Sequence, residues 1–381
     1  MNYFINKYLK KCLKTVLKAG LHLWLTLISF QNNRVCFCLQ QQFLCRSSEG
    51  QKMRLFGRHG FKTISTSVEA NNKYHGLVNQ GATCYLNSVL QVLFMTEDFR
   101  EAVKRSSKQN VGIGLLGALT DLFDNLQKHT ANTHKIITQL GINRVYEQRD
   151  AAECIEKILT MTSPEASQIF HGLLANQITC SKGHKETDRD APFWHLPLSL
   201  VDFYNQDYSV VNGIEEFFRP TCLNGEHQMY CDRCGHKVDA TITDVIKHHP
   251  DVLILLLKRF EFNYSYMSYF KTSCFVEVPY SLQIPGSEVY ELYAVVDHFG
   301  GMRGGHYSAT IKTQDEDRWY KFDDTQVTPL DYQPFQEKSQ SAYLLFYRKA
   351  KSKSHNCYHR HLFLYIYIFL FYYVFYYSCC R

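Results

Sequence analysis

The sequence predicts an α+β unit of enzyme size between about Tyr74 and Arg348, and three observations carry that prediction. Helical periodicity fills the first third, short alternating runs fill the rest, and the two patterns do not interleave as they would in a parallel βαβ chain. In "NQGATCYLNSVLQVLF", Leu86, Val89, Leu90, Leu93 and Phe94 fall at i, i+3, i+4, i+7 and i+8, the spacing of one buried helix face. The pattern stays mostly helical to about Lys128, and "EQRDAAECIEKIL" predicts a further helix over Glu147–Leu159. After "ITCSKGH" come "DVLILLLKRFEF", "YELYAVVDHF", "HYSATIKT", "RWYKFDD" and "SAYLLFYRK", separated by Gly, Pro and Asn. These read as strands of a mostly antiparallel sheet.

The chain has 381 residues and a net charge of +6, a mild balance that does not suggest a nucleic-acid partner. Its fourteen cysteines show neither an evenly spaced disulfide framework nor a clear signal peptide ahead of them. They read as reduced thiols of the cytoplasm or nucleus, with chemistry or metal binding the use of any clustered pair.

Both ends differ from the middle. Residues 1–72 pass from a Lys-rich amphipathic run through "LHLWLTLISF" into a stretch without period, and read as an irregular extension. Residues 73–349 form the folded unit, and 350–381 are a basic, His-rich linker followed by the charge-free run "LFLYIYIFLFYYVFYY". That run falls short of the roughly 20 residues of a membrane helix, and tyrosines favour the interface. A tail anchor and translated non-coding sequence both stay open for it.

Four polar positions ask for more than packing. Cys84 stands at a helix start, where free backbone N–H groups and the helix dipole favour a thiolate, although a free cysteine is more often a buried core residue. His306 follows two pairs of glycines in "GGMRGGHYSAT" and opens a strand, and Asp323 and Asp324 end the next one. If those strands form a hairpin across "QDED", a carboxylate reaches the imidazole. Singly, each has an ordinary reading as a core thiol, a solvated histidine or a turn aspartate. Together they are the parts of a Cys–His–Asp hydrolase, in which imidazole takes the thiol proton and carboxylate fixes its tautomer.

At this point the sequence resembles the ubiquitin-specific proteases, papain-like cysteine deubiquitinases. "GLVNQGATCYLNSVLQVLF" is similar to that family's Cys box, "YEQRDAAECIEKIL" to a degenerate Gln-Asp box, and "GGHYSATIK" with "RWYKFDDTQV" to its His box; "LLLKRF" and "AYLLFYRK" also match. The resemblance implies a right-hand architecture of thumb, palm and fingers and hydrolysis of the bond at the C-terminal glycine of ubiquitin on proteins. It implies Cys84 as nucleophile, His306 as base, Asp323 as orienting acid and Asn79 as an oxyanion-hole donor, with Asp324 a second supporting candidate. It implies ubiquitin and ubiquitinated proteins as partners, a monomer, and no cofactor for catalysis. A protease for a ubiquitin-like modifier and a non-cleaving ubiquitin-binding pseudoenzyme are the alternatives.

Two departures from the family pattern stand out. Arg149 replaces a usual Gln in the Gln-Asp box. The finger cysteines of the family come as two Cys-x-x-Cys knuckles, whereas here Cys231 and Cys234 face a first knuckle, "CSKGHK", that retains only Cys180. Either His184 completes a Cys180, His184, Cys231, Cys234 zinc site, or the structural metal has been lost.

Overall fold

The computed structural model describes residues 73–350 except 110–113, 201–206, 264–265 and 302–303. The N-terminal extension and the Tyr-rich tail therefore lie outside the described residues. Among the described residues no helix is long and apolar enough to cross a membrane.

The helical lobe, or thumb, is built around α1 (Cys84–Met95), eleven of whose twelve residues are buried. A helix buried on all sides belongs inside a lobe rather than on its surface. Around it lie α2 (Glu97–Gln109), α3 (Gly114–Leu126), α4 (His134–Gln139), α5 (Ala151–Met161) and α6 (Pro164–Ser167). The helix expected from Glu147 begins four residues later. Asp150 takes an extended backbone and caps α5, its carboxylate accepting from the amides of Ala152 (2.6 Å) and Glu153 (3.3 Å). An Asp that satisfies free first-turn amides stops a helix from extending backwards. Residues 147–149 are thereby left outside the helix.

The palm is one sheet with strand order β17-β16-β15-β14-β18-β9-β3, and β13 pairs with β14. Its strands are β3 (Leu196–Ser199), β9 (Val252–Lys258), β13 (Ser281–Ile284), β14 (Glu288–Gly301), β15 (Gly304–Lys312), β16 (Trp319–Asp323), β17 (Gln326–Pro329) and β18 (Ala342–Lys349). Alternation gives the sheet two buried faces. Ile254, Leu344 and Phe346 pack toward the helical lobe. Leu253, Leu255, Leu345 and Tyr347 belong to a second core on the opposite face.

The run "DVLILLLKRFEF" does not form one strand. It breaks at Arg259, between β9 and β10 (Phe260–Asn263), because the chain turns that side chain inward. The fully buried guanidinium donates to the carbonyls of Ala342 (2.6 Å), Cys274 (3.1 Å), Thr272 (3.2 Å) and Ser339 (3.2 Å). A buried cation is tolerated only when its donors are satisfied in this way. Beside it, β11 (Ser268–Lys271) pairs with β10 as a hairpin.

The fingers are a second sheet of order β2-β1-β8-β5, made by β1 (Gly172–Cys180), β2 (Lys185–Phe193), β5 (Thr221–Leu223) and β8 (Ala240–His248). At its tip, β6 (Met229–Cys231) and β7 (His236–Val238) form a small hairpin. Pairing is mostly antiparallel as expected, with parallel exceptions at β3/β9 and between β4 (Asp207–Ser209) and β12 (Phe275–Glu277). A short α-helix, α7 (Val210–Phe217), lies within the strand-rich region.

Candidate active site

The helix α1 packs against β15 and β16, and the backbone of Tyr307 hydrogen-bonds the Cys84 thiol, which places Cys84 beside the residue that follows His306. The approach to α1 is tied by Asn79. Its Oδ1 accepts from the amides of Gly81 (3.1 Å) and Thr83 (3.1 Å) and from the Thr83 hydroxyl (3.2 Å). Gly81 turns the loop at φ +137°, a conformation that side chains resist. Gly76 is needed for a different reason, since a Cβ there would meet the Asp324 carbonyl oxygen at 2.3 Å.

Cys84 is 2 % exposed. Burial pushes its thiol above the ordinary range. The backbone of Tyr307 and the amides at the start of α1 oppose that shift, and the charge of Asp324 adds to it. The helix start therefore does favour a thiolate, as its position implies, but desolvation outweighs it. Such a thiol must hand its proton to a base before it can attack.

The strands β15 and β16 pair antiparallel, Ala309 opposite Phe322 and Lys312 opposite Trp319, so the start of one lies beside the end of the other. There His306 Nε2 and Asp323 Oδ1 are 2.6 Å apart. Burial works against the Asp323 charge, but the hydrogen bond to His306 and the charges of His306 and Lys321 hold its carboxyl below the usual range. With Nε2 engaged by Asp323, Nδ1 is the imidazole nitrogen left for a thiol proton.

Asp324 follows with a left-handed backbone, φ +49°. Its two carboxylate oxygens accept from Asn79 Nδ2 (2.9 Å) and Asn87 Nδ2 (2.8 Å). The structure thus brings His306, Asp323 and Asp324 within 4.8 Å of one another and ties Asn79 to the last of them. Asn79 Nδ2 keeps one N–H free of Asp324, because a primary amide has two.

Two residues of this arrangement escape a reading of the sequence. Asn87 lies three positions after Cys84, and its signal was present: it is one of the few polar side chains, with Ser88 and Gln91, in a helix buried all round. Gln148 exchanges two hydrogen bonds with Gly305, its Nε2 donating to the Gly305 carbonyl and its Oε1 accepting from the Gly305 amide at 2.9 Å. No local signal gives a contact between residues 157 positions apart.

In the fingers, Cys180, His184, Cys231 and Cys234 bring their ligand atoms within 4.8 Å of one another. His184 Nδ1 lies 3.5 Å from Cys231 Sγ and 3.4 Å from Cys234 Sγ. A tetrahedral zinc with bonds of about 2.3 Å to sulfur and about 2.0–2.1 Å to nitrogen spaces such ligands about 3.5 Å apart. The donor set and its spacing fit one zinc ion.

A helical lobe carrying a thiol at a helix start, against a sheet that carries an imidazole hydrogen-bonded to a carboxylate, is the papain-like cysteine-protease fold in its thumb, palm and fingers form. Residues 75–347 match the profile of the family described as ubiquitin carboxyl-terminal hydrolase, and the chain belongs to that family. Among proteins it resembles are ubiquitin carboxyl-terminal hydrolase 12 of Salmo salar (28 % identical, 74 % of this chain and 92 % of that protein) and ubiquitin carboxyl-terminal hydrolase 47 of Drosophila melanogaster (25 % identical, 80 % of this chain). A third is ubiquitin carboxyl-terminal hydrolase 15 of Schizosaccharomyces pombe, 30 % identical over 71 % of this chain. The chain spans only about a quarter of the fly and fission-yeast proteins, 27 % and 26 % of their lengths. The SAGA Ubp8/Sgf11/Sus1/Sgf73 deubiquitinating module bound to ubiquitin aldehyde superposes with a TM-score of 0.61 at 25 % identity, over 76 % of this chain and 72 % of that one.

Proposed function

We propose that this chain is a thiol-dependent deubiquitinase that hydrolyses the peptide or isopeptide bond at the C-terminal glycine of protein-linked ubiquitin. The observation that carries the reading is the 2.6 Å hydrogen bond between His306 and Asp323, formed next to Tyr307, whose backbone hydrogen-bonds the Cys84 thiol. Membership of the family and the ubiquitin-bound state of a structural relative support the choice of substrate.

In this reading His306 Nδ1 takes the Cys84 proton, and the thiolate attacks the carbonyl carbon of the terminal glycine. The oxyanion that forms is met by the second N–H of Asn79 and the backbone N–H of Cys84. The imidazolium, stabilised by Asp323, then gives its proton to the leaving lysine amine as the C–N bond breaks. Water attacks the resulting thioester with His306 again as base, which frees ubiquitin and restores the thiol. The sulfur is buried and protonated at rest, so Asp323 matters for the imidazolium it stabilises as well as for the tautomer it selects.

Zinc at Cys180, His184, Cys231 and Cys234 would brace the finger tip and take no part in these steps. The reading is tested by incubating the protein with ubiquitin that carries a thiol-reactive C-terminal group and mapping the adduct. Labelling of Cys84 alone among the fourteen cysteines is expected. Labelling elsewhere, or none on folded protein, sinks it.

A further inference from the structure

The edge of β15 is used in three different ways along its length. From Ala309 to Lys312 it is covered by β16, but the pairing stops there, and residues 304–308 have a strand neighbour only on the β14 side. In an antiparallel ladder the backbone groups of every second residue point to the same side. Gly305, Tyr307 and Ala309 therefore face one way. Ala309 meets β16, the Tyr307 backbone meets the Cys84 thiol, and both backbone groups of Gly305 meet Gln148.

Residues two apart on a strand are separated by about 6.6–6.8 Å, so the amide of Gln148 sits one ladder step from the reacting sulfur. Its geometry is that of a peptide group. A primary amide that gives one hydrogen bond to a carbonyl and takes one from the N–H of the same residue reproduces what a neighbouring strand would do at that position. An extended chain that brings its terminal carbonyl to Cys84 and continues along this edge needs those same two groups of Gly305, as peptides do when they add to a sheet. Gly305 itself is required by the packing behind this edge, since a Cβ would lie 2.2 Å from His298 Nε2 and 2.7 Å from the Phe299 carbonyl oxygen. Gln148 is exposed and lies just ahead of the Asp150 cap, outside α5, so it can swing away without disturbing the helix.

We propose that Gln148 is a strap across the substrate channel: its side-chain amide occupies the hydrogen-bonding positions of a substrate peptide at Gly305 and is displaced when the tail of the substrate enters. The proposal rests on the reading of the site as one that accepts the extended C-terminus of ubiquitin. It makes Gln148 a competitor of substrate, which distinguishes it from a substrate contact or a support for His306. Displacing it offsets part of the binding energy of each tail.

The experiment compares wild type and Gln148→Ala in steady-state hydrolysis of ubiquitin carrying a fluorogenic C-terminal amide, with hydrogen exchange at the Gly305 amide followed in the free proteins. Equal melting temperatures establish that both are folded. The expected result is faster exchange at Gly305 in the variant, and a KM about three- to tenfold lower with kcat within about twofold, the scale of one or two net hydrogen bonds. A raised KM overturns the strap in favour of a substrate contact. A lowered kcat at constant KM overturns it in favour of a positioning role toward His306. Unchanged kinetics, or Gly305 exchange no faster in the variant, also overturn it. Wild type that neither cleaves nor binds ubiquitin fails the underlying reading, a result distinct from wild-type turnover with KM unmoved.

Discussion

The Nδ2 of Asn79 donates to Asp324 Oδ2 at 2.9 Å, while its Oδ1 gathers three donors from residues 81 and 83. The amide has therefore one orientation, chosen before any substrate arrives. A donor fixed in advance stabilises developing charge without reorganisation, which makes it worth more than the same group on a free rotor.

From this pair comes the first prediction. Asn79→Ala should lower kcat/KM by about 2.7–4 kcal/mol of transition-state stabilisation. Asp324→Ala should lower it in the same direction, because Asn79 then loses the partner that aims it. The double variant should fall well short of the sum, as neighbours in one network do. Ubiquitin affinity measured by titration should stay close to that of wild type in all three. Strictly additive losses would separate the two residues.

The imidazole and its carboxylate give the second. His306→Ala should be nearly as severe as Cys84→Ala, whereas Asp323→Asn keeps a hydrogen-bonding group at the ring and should leave more residual activity. Single-turnover rates on a ubiquitin amide rank the three variants. An Asp323→Asn rate as low as that of His306→Ala would assign Asp323 more than orientation.

Fingers and stability are linked in the third. If zinc occupies the Cys180, His184, Cys231, Cys234 cluster, elemental analysis should find close to one equivalent per chain. His184→Ala and Cys231→Ser should each lower the melting temperature, because the binding energy of a structural metal is also folding energy. Zinc-free protein in which neither substitution changes the melting temperature would leave a hairpin held by its own packing.

The fourth concerns the palm. Asp297, 5 % exposed, is pushed up to about 6 by burial, against the hydrogen bond it accepts from Ser341 at 2.8 Å. A carboxyl raised above its unfolded value is harmless at pH below about 4, where both states hold the proton. As pH rises through that range to about 6, the unfolded chain ionises first and folding loses up to about 3 kcal/mol. Asp297→Asn lacks this proton, so its stability relative to wild type should climb between about pH 4 and 6 and then level off. Denaturant melts at several pH values read the difference directly. A difference independent of pH would remove the carboxyl from the account.

The helical lobe was legible because its apolar spacing is local: α1 lies where Leu86 to Phe94 placed it. The five quoted strand runs are likewise strands, apart from the break at Arg259, where one buried cation outranks a continuous β pattern. The finger strands β1 and β2 were not legible. "KETDRDAPF" is polar and mostly exposed, and it is held by its ladder with β1 rather than by a buried face that alternation would reveal. At the site, Cys84, His306, Asp323 and Asn79 stood in recognisable motifs, and the hairpin joining two of them followed from strand order. Convergence of distant partners, such as Gln148 with Gly305 or Asn87 with Asp324, depends on tertiary packing and leaves no periodic trace. The sign of the Cys84 shift was hidden for the same reason, since the helix start is written in the sequence and the depth of burial is not.

The last strand of the palm, β18, lies between β14 and β9, near the middle of the sheet. A ribosome delivers Cys84 more than two hundred residues before His306, and delivers Ala342–Lys349 later still. Until those final residues emerge, β14 and β9 have no strand between them, and the two buried faces of the palm cannot close. Only between residue 324 and residue 342 does the nascent chain carry every polar group of the site, and over that interval it has no closed sheet to assemble them on. Hydrolytic competence should switch on only when translation has passed Lys349, and a ribosome stalled before Ala342 should display an inert chain.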